Sequence, residues 1–148
     1  VSTLPRTVSC TRLEAQAHTG KTAWAKVAAE ELHQETIVIL GWNETMGAIL
    51  IEIDQLVAPD SRVVIFSPVT AEERERILKA AQQRRMYHYV NITVEHMEGH
   101  LGARYRLEEL PIADASRIFI LADSHSGCSD TADMQTIASI LQVQDIRW

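Results

Sequence analysis

The chain has 148 residues, 46% of them hydrophobic and 23% charged, with a formal net charge of −6. That balance describes one globular domain with a single core, and acidic charge without a basic cluster excludes the electrostatic footprint of a nucleic-acid binder. Two distant cysteines, Cys10 and Cys128, form no Cys-x-x-Cys, as expected of a reduced intracellular protein; no apolar run approaches ~18 residues, and no signal peptide is expected.

Residues 1–35 read as a helical linker segment. After a polar start, Leu13, Ala17, Trp24, Val27, Ala28 and Leu32 recur near helical spacing, with a break at Thr19-Gly20. His18-Thr19-Gly20-Lys21-Thr22 echoes the end of a phosphate-binding loop. Ala15 stands where its first glycine belongs, however, and no strand precedes it, so a plain helix break is expected.

From residue 36 strands and helices alternate. Residues 36–40 form an apolar strand that stops on Gly41 and turns into a helix over 45–57, with Ile49, Leu50, Ile53, Leu56 and Val57 on one face. Ala58-Pro59-Asp60-Ser61 ends that helix. A second strand over 62–66 runs into Ser67-Pro68-Val69-Thr70, where Thr70 and Glu73 have capping-box spacing ahead of a charged, mostly solvated helix over 71–85. A third strand over 91–95 leads through a glycine- and histidine-rich loop to a short helix over 103–110, and Pro111 marks its exit. The fourth strand is expected over 117–121. The last helix, over 131–145, is expected to bury Met134, Ile137, Ala138, Leu141 and Val143.

Strands that are apolar nearly throughout, each separated by a helix, imply a parallel sheet covered on both faces. The expected fold is therefore α/β, a Rossmann-like doubly wound domain over 36–148 with strand order 3-2-1-4. Its fourth strand is an edge, to be covered by another chain or by a return of the N-terminal segment.

A parallel strand, a glycine turn and a helix N-terminus make an anion pocket, so the candidate nucleotide-type site is Gly41, Trp42, Asn43, Gly47 and Ser67. It is degenerate. Trp42-Asn43 replaces the second glycine of the dinucleotide motif, and Ser67 stands where an acidic residue would hold the ribose. NAD is accordingly not the expected cofactor. The tyrosine and lysine pair of hydride-transfer enzymes is absent, as is a Gly-x-Ser-x-Gly elbow, and His125 with Cys128 reads as an ordinary loop pair. Metal ligation has two candidate groups. His96, Glu98 and His100 share a side on an extended segment, and Asp123, Asp130 and Asp133 offer hard oxygens to calcium, with capping of the last helix as the plainer role.

Ile39-Leu40-Gly41-Trp42, the run Glu72-Glu73-Arg74-Glu75-Arg76 with Leu78, and Asn91-Ile92, Val94, His96 and Glu98-Gly99 carry a resemblance that continues through Leu107-Glu108, Leu110-Pro111, 118–123, Asp133, Ala138, Leu141 and Asp145-Ile146. Over about residues 36–147 the chain resembles the cytoplasmic RCK or TrkA-N-type regulatory domains of the CASTOR/POLLUX ion channels, above all the second such domain. That resemblance implies a non-enzymatic gating module on the cytoplasmic side of a membrane. It further implies calcium as ligand, and as partners a homo-oligomer or other RCK-type domains beneath a cation-channel pore. The alternative from another class is a sensor or oxidoreductase that binds NAD or ATP through an eroded glycine motif.

Overall fold

The computed structural model describes residues 33–123 and 128–148, so the linker expected over 1–35 lies almost wholly outside the described residues. Within Gln34–Trp148 the elements are β1 (Thr36–Leu40), α1 (Met46–Leu56), β2 (Ser61–Ser67), α2 (Ala71–Arg85), β3 (Ile92–Glu98), α3 (Arg104–Glu108), β4 (Arg117–Ile120) and α4 (Ser129–Arg147). The strands pair in parallel in the order β3-β2-β1-β4, the Rossmann-like arrangement that the apolar strand pattern predicts.

The two central strands carry the sheet because both of their faces are apolar. Ile37, Ile39, Val63 and Ile65 pack beneath α1 and α2 against Met46, Leu50, Ile53 and Leu78. Val38, Leu40, Val64 and Phe66 pack on the opposite face against Leu107, Leu110, Ile112 and Val143. At roughly 2 kcal/mol for each fully buried aliphatic side chain, this two-sided burial is the main driving force for the fold.

Helix boundaries follow local chemistry. The Thr70 hydroxyl accepts from the Glu73 amide at 3.4 Å, capping α2, and the Glu73 carboxylate accepts from the Arg76 guanidinium. The helix closes on Met86, whose φ of 49° and ψ of 43° are left-handed. On α1, Leu50, Ile53 and Val57 are buried as expected, but Leu56 is exposed beside β4.

The face assigned to α4 is corrected. Met134, Ile137, Ala138 and Leu141 point to solvent; Val143 is buried as expected, and the helix buries Ala132 and Ser139 beside it. Two stripes of α4 are apolar enough to pack, and the sheet receives the one with smaller side chains.

The polar group that organises this lobe is Asp54, fully buried on the apolar side of α1. Its carboxylate accepts from the Tyr87 hydroxyl at 2.6 Å and from the amides of Asn91 and Ile92 at 2.8 and 2.9 Å, with Val90 N at 3.1 Å. The Asn91 side chain returns a bond to the Asp54 carbonyl at 2.7 Å. These bonds pin the start of β3 to α1 and so set the register of the outer strand. Burial alone would raise the Asp54 pKa, but the bonds from Tyr87, Val90, Asn91 and Ile92 together hold it below its ordinary 3.8.

A depressed folded-state pKa stabilises the protein above the unfolded value, and that stability is lost as pH falls through the folded value. Asp54→Asn is therefore expected to lower unfolding free energy at pH 7 by about 2–4 kcal/mol. In urea titrations at a series of pH values the gap from wild type should close below pH 4; a gap that persists unchanged into acid counts against the carboxylate as the anchor.

Candidate functional site

In an open parallel sheet, ligands bind beyond the carboxyl ends of the strands, where the order reverses. Here that crevice lies between β1 and β4. Gly41 leaves β1 with φ +98°, its amide donating to the Phe66 carbonyl at 2.9 Å. A Cβ at Gly41 would lie 2.3 Å from the Leu121 carbonyl oxygen, and the Leu121 amide in turn donates to Leu40 O at 2.8 Å. The end of β4 is therefore drawn against the turn, at the place where a dinucleotide-binding loop keeps open space for a pyrophosphate.

The other members of the expected pocket have structural partners. Trp42 is 1% exposed and packs in the core beneath α1, so its indole does not line the crevice. Asn43 Oδ1 accepts from the amide and the hydroxyl of Thr45, at 3.0 and 2.7 Å, closing the turn that starts α1. Gly47 serves helix packing, because a Cβ there would meet Ala81 of α2 at 2.5 Å. Ser67 is buried, and its hydroxyl accepts from Val69 N at 3.2 Å.

The N-terminus of α2 is occupied by a group from the chain itself. Glu98, at the end of β3, accepts from the Ala71 amide at 2.7 Å, placing an anion where the helix dipole favours one. Behind it lies Arg74, fully buried, whose guanidinium donates to the carbonyls of Ile65 and Met97, both at 2.9 Å. Its Nε finds no hydrogen-bond partner. Burial lowers the Arg74 pKa from its ordinary value, and the nearby Glu98 carboxylate opposes that shift. Arg106 of α3 donates to the Glu98 carbonyl at 2.6 Å, so β3, α2 and α3 meet at one residue.

The expected metal ligands are spread apart. His96 is half-buried, with Nδ1 unpartnered, and burial followed by the Arg74 charge holds its pKa below the ordinary value against the pull of Glu75. A guanidinium beside an imidazole is a poor setting for a cation. Glu98 is engaged at α2, and His100 is exposed in the following loop. Asp123 is buried in the segment after β4, whereas Asp130 and Asp133 are exposed on the first turns of α4. Among the described residues no group of three His, Cys, Asp or Glu side chains converges on one point. His125 lies outside the described residues, and Cys128 is exposed before α4, with its thiol pKa lowered by the amides of Asp130 and Thr131.

Asp54 and Arg74 were not foreseen as anchors, although each leaves a trace in the sequence. Asp54 falls four residues after Leu50 and three before Val57, and Arg74 four before Leu78, so each is a charge on an apolar helical stripe.

No protein-family profile matches the chain. It is 32% identical over 116 residues to the ion channel DMI1 of Medicago truncatula, covering 78% of this chain and 13% of that protein. It is 33% identical over 114 residues to the probable ion channel CASTOR of Oryza sativa subsp. japonica, covering 76% and 13%, and 31% identical over 116 residues to the ion channel POLLUX of Lotus japonicus, covering 78% and 12%. The matches span about an eighth of the length of these curated relatives.

Gly41→Ala puts a methyl group into the Leu121 carbonyl and forces a left-handed backbone on an L side chain. The expected cost is at least about 2 kcal/mol, measured as a drop in thermal midpoint. A midpoint equal to wild type would mean that β4 is not held against the turn.

Proposed function

The chain is a homologue of one segment of the CASTOR/POLLUX-type ion channels, and from that premise we propose that it is a non-enzymatic regulatory domain of the RCK type. On this reading it works on the cytoplasmic side of a membrane, self-associates with like domains, and biases the opening of a cation pore. The homologues are ion channels rather than enzymes. No described helix is long and apolar enough to cross a membrane, which fits a domain that lies beside the pore.

The observation that carries the reading is the occupied crevice: Leu121 O against Gly41, Asn43 at the start of α1, and Glu98 on α2. A lobe whose nucleotide positions are taken by its own groups keeps the rigid parallel sheet. On this reading a ligand acts by preferring one of two arrangements of the strand-end loops, and it shifts the population by its difference in affinity.

Calcium is the proposed ligand. Asp123 follows β4, and Asp130 opens α4, so a hard cation engaging both would tie the chain after β4 to the helix that follows it. The Glu98 and Arg74 node belongs to the scaffold in this scheme.

Calorimetric titration of the 148-residue protein with calcium is expected to show saturable binding that weakens at least about tenfold in Asp130→Asn, the loss of one charged ligand from a sensor-type site. Absence of calcium heat, or heat unchanged by Asp130→Asn and Asp123→Asn, overturns the calcium assignment. Tight binding of NADH or ATP in the same titrations overturns the regulatory reading in favour of a nucleotide sensor.

A further inference from the structure

The start of α2 carries an exposed hydroxyl in an acidic setting. Thr70 is solvent-exposed and extended, with φ of −61° and ψ of 147°, and Glu72 and Glu73 follow it by two and three residues. Among the described serines and threonines no other has an acidic residue three positions on. Carboxylates placed just after a hydroxyl are what the basic cleft of an acidophilic serine/threonine kinase recognises. The hydroxyl is also loosely held, because its one bond, from the Glu73 amide, is long at 3.4 Å.

Capping alone accounts for the hydroxyl but not for the second acceptor beside it. Thr70 Oγ1 takes the Glu73 amide while Glu98 Oε1, from the end of β3, takes the Ala71 amide at 2.7 Å. Both therefore sit on the first turn of α2, where the helix dipole favours negative charge. One turn on, the fully buried Arg74 keeps an Nε without a hydrogen-bond partner, so positive charge at this turn exceeds what one carboxylate takes up.

We propose that Thr70 is a phosphorylation site, and that its phosphate displaces Glu98 from the start of α2. In the modifying step Thr70 Oγ1 bonds to the γ-phosphorus of ATP as the bridging bond to ADP breaks; the hydroxyl proton passes to the kinase and ADP leaves. The phosphate carries about −1.5 to −2 charges at pH 7, against one on Glu98, and it is attached at the cap itself. Two anions cannot hold the same turn, and their repulsion drives the Glu98 carboxylate off. β3 then keeps its backbone ties, Arg74 to the Met97 carbonyl and Arg106 to the Glu98 carbonyl at 2.9 and 2.6 Å, but loses its side-chain tie to α2. The consequence is a local release at the end of β3 with the strand order unchanged.

This site goes beyond the regulatory reading and does not depend on calcium. The full 148-residue protein, incubated with an acidophilic serine/threonine kinase, ATP and magnesium, is expected to take up a phosphoryl group at Thr70, located by peptide mass mapping. Thr70→Asn keeps a capping side chain and removes the acceptor, so it should lose that uptake with unchanged circular dichroism. Glu72→Gln combined with Glu73→Gln should slow uptake about tenfold, the loss of two charge contacts with the enzyme. Displacement is read from unfolding midpoints: Glu98→Gln should lower the midpoint of the unmodified protein and leave that of the phosphorylated protein unchanged or higher. No phosphate at Thr70, or uptake indifferent to Glu72 and Glu73, overturns the site. A Glu98→Gln loss of equal size in both forms overturns the displacement.

Discussion

The constraint on which the rest of the lobe depends is the turn at Gly41. Its left-handed backbone lets the chain leave β1 and enter α1 without a side chain, and the space so released is taken by the Leu121 carbonyl at the end of β4. Two consequences follow from one residue. The turn remains tight enough for Trp42 to swing into the core beneath α1, and the outer strand is brought down onto the crevice. The strand, turn and helix of a coenzyme-binding lobe are retained, with the Leu121 carbonyl drawn against the turn.

Polar anchors then fix the outer strand on the far side. Asp54 holds the beginning of β3 through the amides of Val90, Asn91 and Ile92, and Arg74 holds its end through the Met97 carbonyl. Both charges are buried and both are hydrogen-bonded, the condition under which burial of a charge is tolerated. Such anchors cost desolvation and return geometric definition, because a slip in register would leave each charge without partners. The result is an outer strand fixed at both of its ends.

The fold was largely legible in the sequence because β1 and β2 are apolar on both faces, which only a sheet covered on two sides can satisfy. The start of α2 was legible because Thr70 and Glu73 have cap spacing, and Thr70 caps the helix while Glu73 also pairs with Arg76. The buried face of α4 was not legible. Hydrophobicity ranks Met134, Ile137 and Leu141 above Ala132 and Ser139, yet it is the smaller pair that is buried, alongside the expected Val143. The candidate site was legible only as a position: sequence located the crevice, while its occupation by Leu121, Glu98 and Asn43 depends on contacts between residues far apart in the chain.

A Rossmann-like lobe related to a segment of ion channels thus combines a fixed sheet, a crevice taken up by its own backbone and carboxylate, and an apolar helix left in solvent. These are the features on which the proposed regulatory reading rests. The most direct measurement is a crystal structure of the 148-residue protein grown with millimolar NADH. The expected result is Leu121 O still in contact with Gly41, Glu98 still on the Ala71 amide, and no ordered dinucleotide above the turn. Pyrophosphate density over Gly41, with Leu121 displaced, would contradict the central claim that the chain itself fills this crevice.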